Sequence, residues 1–200
     1  MTLLRSCSAV VVGLLLLWSP PAAPAKEPSK RILVDDFERP GSQNRLGGNS
    51  GAFSDSKGLG SCYVFPVTKP DQTFGRKGTS LHVQWDTAKA GSFAGYWSNL
   101  QHLNLEQFNY LTFQLRGLAG GEKFKIGLRG KADDTYETKV LIDDAVKEGT
   151  TKEWKKVVMP LKWFKSVQDW KDVSVVSINF EQAFGSDRGA ILIDDIAFEK

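Results

Sequence analysis

The chain has 200 residues, of which 41% are hydrophobic and 24% charged, with a formal net charge of +3. This length supports one domain with a full core. A charge so small and dispersed, with no arginine-rich run, gives no ground for a nucleic-acid partner.

The first 25 residues read as a secretory signal peptide. Arg5 supplies a positive start, Ala9 to Trp18 is apolar, and Ala23-Pro24-Ala25 fits a small-x-small cleavage site. The apolar run is too short for a spanning helix, which needs about 20 residues. The alternative is an uncleaved N-terminal anchor. Cleavage predicts export to the periplasm or the exterior, with no membrane attachment afterwards. It would leave Cys62 as the only cysteine, so no internal disulfide is expected. Residues 26–31 form a polar linker with Pro28, and the domain is expected over residues 32–200.

From Ile32 onward the pattern is period two with glycine-rich breaks. The domain opens on Ile32-Leu33-Val34-Asp35-Asp36-Phe37-Glu38 and closes on Ile191-Leu192-Ile193-Asp194-Asp195-Ile196. Each phrase is a strand signal interrupted by two carboxylates, which must sit at a solvated strand end or meet a cation. Further strands are predicted near residues 60–66, 79–85, 92–98, 136–142 and 154–159. Leu111/Phe113/Leu115, Phe124/Ile126/Leu128 and Val176/Ile178/Phe180 each alternate with polar residues, as half-buried strands do. Helical periodicity is confined to a turn or two within Leu161 to Trp170. Many short strands with regular turn signals predict an all-β fold, an antiparallel two-sheet β-sandwich.

Three polar strand faces recur: Gln114/Arg116, Lys125/Arg129 and Asn179/Glu181. If their strands share a sheet, they form one polar surface. A solvated sheet face explains the same alternation. The supply of six Trp, four Tyr and twelve Phe exceeds what a core of this size requires.

The order of motifs resembles the galactose-binding-like jelly rolls. It runs from Val34-Asp35-Asp36-Phe37-Glu38 through Gly91-Ser92-Phe93-Ala94-Gly95-Tyr96-Trp97 to Phe108-Asn109-Tyr110-Leu111-Thr112-Phe113-Gln114-Leu115-Arg116-Gly117. Thr150 to Leu161 and Ile193-Asp194-Asp195-Ile196 complete it. The nearest resemblance is to family 11 carbohydrate-binding modules and to the related domain of complex I assembly proteins. It implies a jelly roll whose concave face receives a polysaccharide or oligosaccharide. It also implies a structural Ca²⁺ near the terminal strands, with Glu38 and Asp194 as ligands and Asp36 and Asp195 as alternates.

A sugar site combines an aromatic platform with planar donors and acceptors. Tyr96 or Trp97 would supply the platform; as strand neighbours they face opposite ways. If Phe93, Gly95 and Trp97 form the inner face, Tyr96 is the exposed one. Tyr136, Phe53 and Tyr63 are further options. Gln114, Arg116, Arg129, Asn179 and Glu181 could bind hydroxyls, while Lys125 and Arg129 would favour an acidic glycan. Trp85, Trp154, Trp163 and Trp170 are read as packing residues.

No Ser-His-Asp order, HExxH, Walker loop or dinucleotide fingerprint is present, and a non-catalytic module is expected. The alternatives are a protein-partner or assembly role on the same fold, and a jelly-roll glycoside hydrolase or polysaccharide lyase. The last would use Glu181, with Asp133, Asp134 or Glu137 as partner acid.

Overall fold

The computed structural model describes residues 30–131 and 137–200. The leader of residues 1–25, Tyr136, Asp133 and Asp134 lie outside the described residues. Among the described residues eleven strands form two antiparallel sheets. The first holds β1 (Arg31–Asp35), β3 (Ser61–Val67), β4 (Ser80–Asp86), β6 (Tyr110–Gly117), β9 (Lys155–Pro160) and β11 (Arg188–Glu199). Its order is β3-β4-β11-β6-β9, with β1 also paired to β11. The second holds β2 (Ser50–Ser54), β5 (Phe93–Leu103), β7 (Lys125–Arg129), β8 (Thr138–Leu141) and β10 (Val173–Glu181), in the order β2-β5-β10-β7-β8. This is the two-sheet antiparallel sandwich that the alternation predicts.

The core lies between the sheets. From the first come Leu81, Val83, Trp85, Leu111, Phe113, Leu115, Val157, Met159, Ile191 and Ile193; from the second come Tyr96, Leu100, Ile126, Leu128, Val176, Ile178 and Phe180. The layers interlock where Trp85 of β4 stacks on Phe180 of β10, ring centroids 3.8 Å apart at 7°. Such pairs add about 0.5–1.5 kcal/mol beyond area burial.

The two acidic phrases become neighbours. β1 and β11 pair antiparallel, from Arg31 opposite Glu199 to Asp35 opposite Ile196. The carboxylates fall where pairing is irregular. The β1–β11 register shifts between Leu33 and Asp35, the β11–β6 register shifts between Asp194 and Ala197, and Asp195 adopts φ 51°. Bulges of this kind let a strand carry a side chain its face would otherwise reject.

Two expectations are corrected here. The helical stretch at Leu161 to Trp170 is only a 3₁₀ turn at Leu161–Trp163; a single α-helical turn, α1, occupies Ile142–Ala145 instead. The three polar faces also do not share a sheet. Gln114 and Arg116 lie on β6 of the first sheet, whereas Lys125, Arg129, Asn179 and Glu181 lie on β7 and β10 of the second. Both sets point outward, away from the common core, so they occupy opposite sides of the molecule.

Candidate functional site

The outer face of the second sheet is built by strand register. β10 places Ser177, Asn179 and Glu181 opposite Trp97, Gly95 and Phe93 of β5, and sets Ser177 and Asn179 beside Gly127 and Lys125 of β7. β2 adds Gly51 opposite Trp97 and Phe53 opposite Gly95. β8 adds Lys139 opposite Gly127.

Two glycines shape this face. A Cβ at Gly95 would overlap the Ile178 carbonyl oxygen and lie 2.6 Å from the Phe53 ring. The missing side chain therefore lets Phe53 lie across β5. A Cβ at Gly127 would overlap the Glu137 carboxylate and the Ser177 hydroxyl, so Glu137 folds over β7 to accept a hydrogen bond from Ser177 Oγ. Trp97 lies over Gly51, where a Cβ would stand 3.6 Å from the indole Nε1. Half-buried Trp97 and Phe53 thus lie side by side, with Phe93, 44% exposed, at the end of the same strand.

The polar groups form a connected network. Glu181 accepts from Lys139 Nζ at 2.7 Å and from Lys125 Nζ at 2.9 Å. Lys125 also sits 3.7 Å from the centroid of the exposed Phe184 ring. Asn179 Nδ2 donates to Ser177 Oγ at 2.6 Å. Burial works against an ionised Glu181, but the two lysines outweigh it and hold its carboxyl below the usual range. A general acid requires the opposite shift, so this carboxylate is suited to binding hydroxyls. Phe93, Lys139 and Glu181 border a groove of about 250 Å³. Arg129, at the far end of β7, keeps its Nε buried without a hydrogen-bond partner among the described residues.

Several predicted site residues lie elsewhere. Tyr96 is corrected from an exposed platform to a core residue, 2% exposed, because Phe93, Gly95 and Trp97 face outward. Burial raises its phenol. Arg116 is tied down on the other side of the sandwich, with Nε donating to Lys152 O at 2.6 Å and Nη1 donating to Asp71 O. Gln114 shares that side, as does Tyr63 on the edge strand β3. Phe93, Lys139 and Phe184 were missed as site residues. The alternation of β5 and β8 contains the first two once the inward phase is known.

The acidic cluster occupies the outer side of the first sheet, under the segment of residues 68–79. Ser80 Oγ donates to Asp194 Oδ2 at 2.6 Å and accepts from Phe74 N at 3.1 Å. Asp195 N donates to Asp194 Oδ1 at 2.7 Å, and Thr79 N donates to Glu38 Oε1 at 2.8 Å. Burial pushes the Asp194 carboxyl up to about 7, and the charges of Asp195 and Glu38 add to the effect. Thr73, next to Phe74, is 1% exposed and its Oγ1 has no partner among the described residues.

The oxygens described here, two carboxylates and an orphaned hydroxyl, are of the type that calcium takes. The alternates are engaged elsewhere. Asp36 accepts two bonds from Arg45, at 2.7 and 2.6 Å, and Asp195 lies 3.8 Å from Arg31. Among the described residues no three His, Cys, Asp or Glu side chains converge as a metal cluster. Hydroxyl and carbonyl oxygens would therefore have to supply most of the shell.

A two-sheet jelly roll with an uncovered outer sheet face bearing aromatic and hydrogen-bonding side chains is the architecture of a β-sandwich carbohydrate-binding module. The family model for carbohydrate binding domain 30 matches residues 52–200, and the chain belongs to that family of non-catalytic binding domains. No curated protein sequence matches the chain.

Solved structures agree on the fold. The family 11 carbohydrate-binding module of a cellulosomal cellulase of Clostridium thermocellum superposes with a TM-score of 0.64 at 12% identity, covering 86% of this chain and 95% of that one. A family 30 carbohydrate-binding module gives 0.64 at 19% identity, over 85% and 87%. A Clostridium thermocellum family 11 module in complex with a β-1,3-1,4-mixed-linked tetrasaccharide gives 0.61 at 12%, over 84% and 94%.

Proposed function

We propose that this carbohydrate-binding chain takes a polysaccharide along the outer face of its second sheet, across Phe53, Trp97 and Phe93. The observation that carries this reading is the pairing of that aromatic row with the Lys125–Glu181–Lys139 network. Rings stack against the apolar C–H faces of sugars, and the network supplies fixed donors and acceptors for hydroxyls. Because Glu181, together with Glu137 on the same face, offsets the charges of Lys125 and Lys139, the face suits a neutral glycan better than the acidic one the lysines alone suggest. The tetrasaccharide held by the family 11 neighbour makes mixed-linked β-1,3-1,4-glucan the first ligand to test.

Affinity electrophoresis in gels containing mixed-linked β-glucan, xylan or polygalacturonate tests this. The chain should be retarded by a neutral glucan, and Trp97→Ala or Phe53→Ala should abolish the retardation. No retardation by any polymer, or unchanged retardation of both variants, would sink the sheet-face reading.

The proposal extends to export and to calcium. The leader-like N-terminus supports export to the periplasm or the exterior, and among the described residues no helix is long and apolar enough to cross a membrane. Glu38 and Asp194 would hold a structural Ca²⁺ with Thr73 and backbone oxygens near residues 78–80. Calcium at about 100 times its dissociation constant stabilises by about 2.7 kcal/mol. Thermal melting should then rise by about 5–10 °C over the chelated protein. Identical melting in calcium and in chelator would exclude a structural ion.

A further inference from the structure

A second cavity, of about 430 Å³, opens between the edge strands of the two sheets. It is separate from the sheet face, lying between β2 and β3 beneath residues 38–43. Phe37, Val64, Leu81 and Tyr96 form its apolar walls, and Asp35 and Ser50 its polar ones. Its size falls in the lower part of the range of about 300–1,000 Å³ typical of small-ligand sites.

The informative atom is the Tyr96 hydroxyl. It is buried and, among the described residues, forms no hydrogen bond of good geometry, the hydroxyls of Ser50 and Ser98 being its nearest candidates, although Tyr96 borders the cavity. Buried hydroxyls are nearly always satisfied, and leaving one unpaired costs free energy. Phenylalanine would fill the same core position without that cost. Asp35, 5% exposed, adds a carboxylate whose Oδ1 accepts Phe37 N–H at 2.9 Å. The site therefore combines a buried phenol, a buried carboxylate and the Ser50 hydroxyl with aromatic and aliphatic walls.

The geometry points to a second binding site, at the sandwich edge, that takes the terminal pyranose of a neutral glycan. Core residues Leu81 and Tyr96 close the inner side, so a chain can enter by its end but cannot pass through. A pyranose end presents vicinal hydroxyls for the carboxylate and the phenol, and a C–H face for Phe37. Gly51, beneath Trp97, also borders the cavity, but neither Trp97 nor Glu181 lines it, so the two sites are tested separately.

The test is a nitrogen–proton NMR titration of the full chain in calcium, with the methyl glycosides of β-glucose, β-galactose, β-xylose and α-mannose to 100 mM. At least one should shift the amides of Ser42, Ser50 and Thr79. Tyr96→Phe should weaken that binding at least fivefold, Ser42→Trp at the exposed rim should abolish it, and Trp97→Ala should leave it unchanged. No shift at these amides with any glycoside overturns the inference, as does an equal response in Tyr96→Phe. If Trp97→Ala loses polymer retardation but keeps the monosaccharide shifts, both sites stand. If Trp97→Ala loses both the polymer retardation and the monosaccharide shifts, only the edge site fails.

Discussion

Replacing Glu181 by glutamine isolates the charge at the centre of the sheet face. The side chain keeps its shape but no longer compensates Lys125 and Lys139. The side chains of Glu181, Lys125 and Lys139 are 19%, 16% and 32% exposed, between the fully exposed and fully buried regimes. Exposed pairs contribute about 0–1 kcal/mol, and breaking a buried one costs about 3–5. With solvent screening discounted, Glu181→Gln should cost about 1–2 kcal/mol at pH 7, or about 2–8 °C of melting temperature in a domain of this size. The pH dependence fixes the mechanism. Because the lysines hold the folded carboxyl below its unfolded value, its contribution is complete above the unfolded pKa and is lost as pH falls through the folded one. Urea unfolding at pH 7, 5 and 3 should show the gap between parent and variant closing toward acid. The added positive charge should also increase salt-sensitive retardation by polygalacturonate over that of the parent. A gap as wide at pH 3 as at pH 7, or a variant as stable as the parent at neutral pH, would refute the reasoning.

Gly95→Ala places a methyl group against the Ile178 carbonyl and the Phe53 ring. It should destabilise by about 1–3 kcal/mol in denaturant unfolding and weaken glucan retardation by displacing Phe53; parental behaviour in both would show that the close approach is unimportant. Burial pushes the Cys62 thiol up to about 12, leaving about one thiolate in ten thousand at pH 8. Peptide mapping after brief iodoacetamide treatment should find Cys62 unmodified in the native chain and modified in urea; rapid native labelling would contradict this.

The sandwich was legible because each strand must send one set of side chains into a shared core. Val176, Ile178 and Phe180 show that phase in sequence, and all three are buried. The same rule cannot say which sheet a strand joins. Gln114/Arg116 and Asn179/Glu181 have identical alternation, yet β6 pairs with β11 and β10 pairs with β5. Sheet membership depends on long-range partners, on which period two is silent. Phase failed at β5 for a different reason. Phe-Ala-Gly-Tyr-Trp offers aromatics to both faces, and packing decides between them. Tyr96 opposite Ile178 fills the core, while Gly95 leaves room outside for Phe53.

The contrast between the two outer faces bears directly on where a glycan can lie. On the first sheet, residues 68–79 fold back over the surface: Arg116 is held by Asp71 O, Thr73 is buried, and Phe74 meets Trp154 edge-on at 5.8 Å. Leu192 is fully buried on that side although its strand neighbours Ile191 and Ile193 face the core. Cover of this kind blocks a polymer and desolvates Asp194 and Thr73, where the proposed cation would lie. On the second sheet, half-buried Trp97 and Phe53 flank the Lys125–Glu181–Lys139 network and Phe93 stands 44% exposed. A sheet face that kept its aromatics outward only for solubility would gain by replacing them with polar residues. Their retention beside fixed hydrogen-bonding groups is what a sugar platform requires. The acidic phrases at the two ends of the sandwich therefore organise the covered face, and the proposed glycan site falls on the open one.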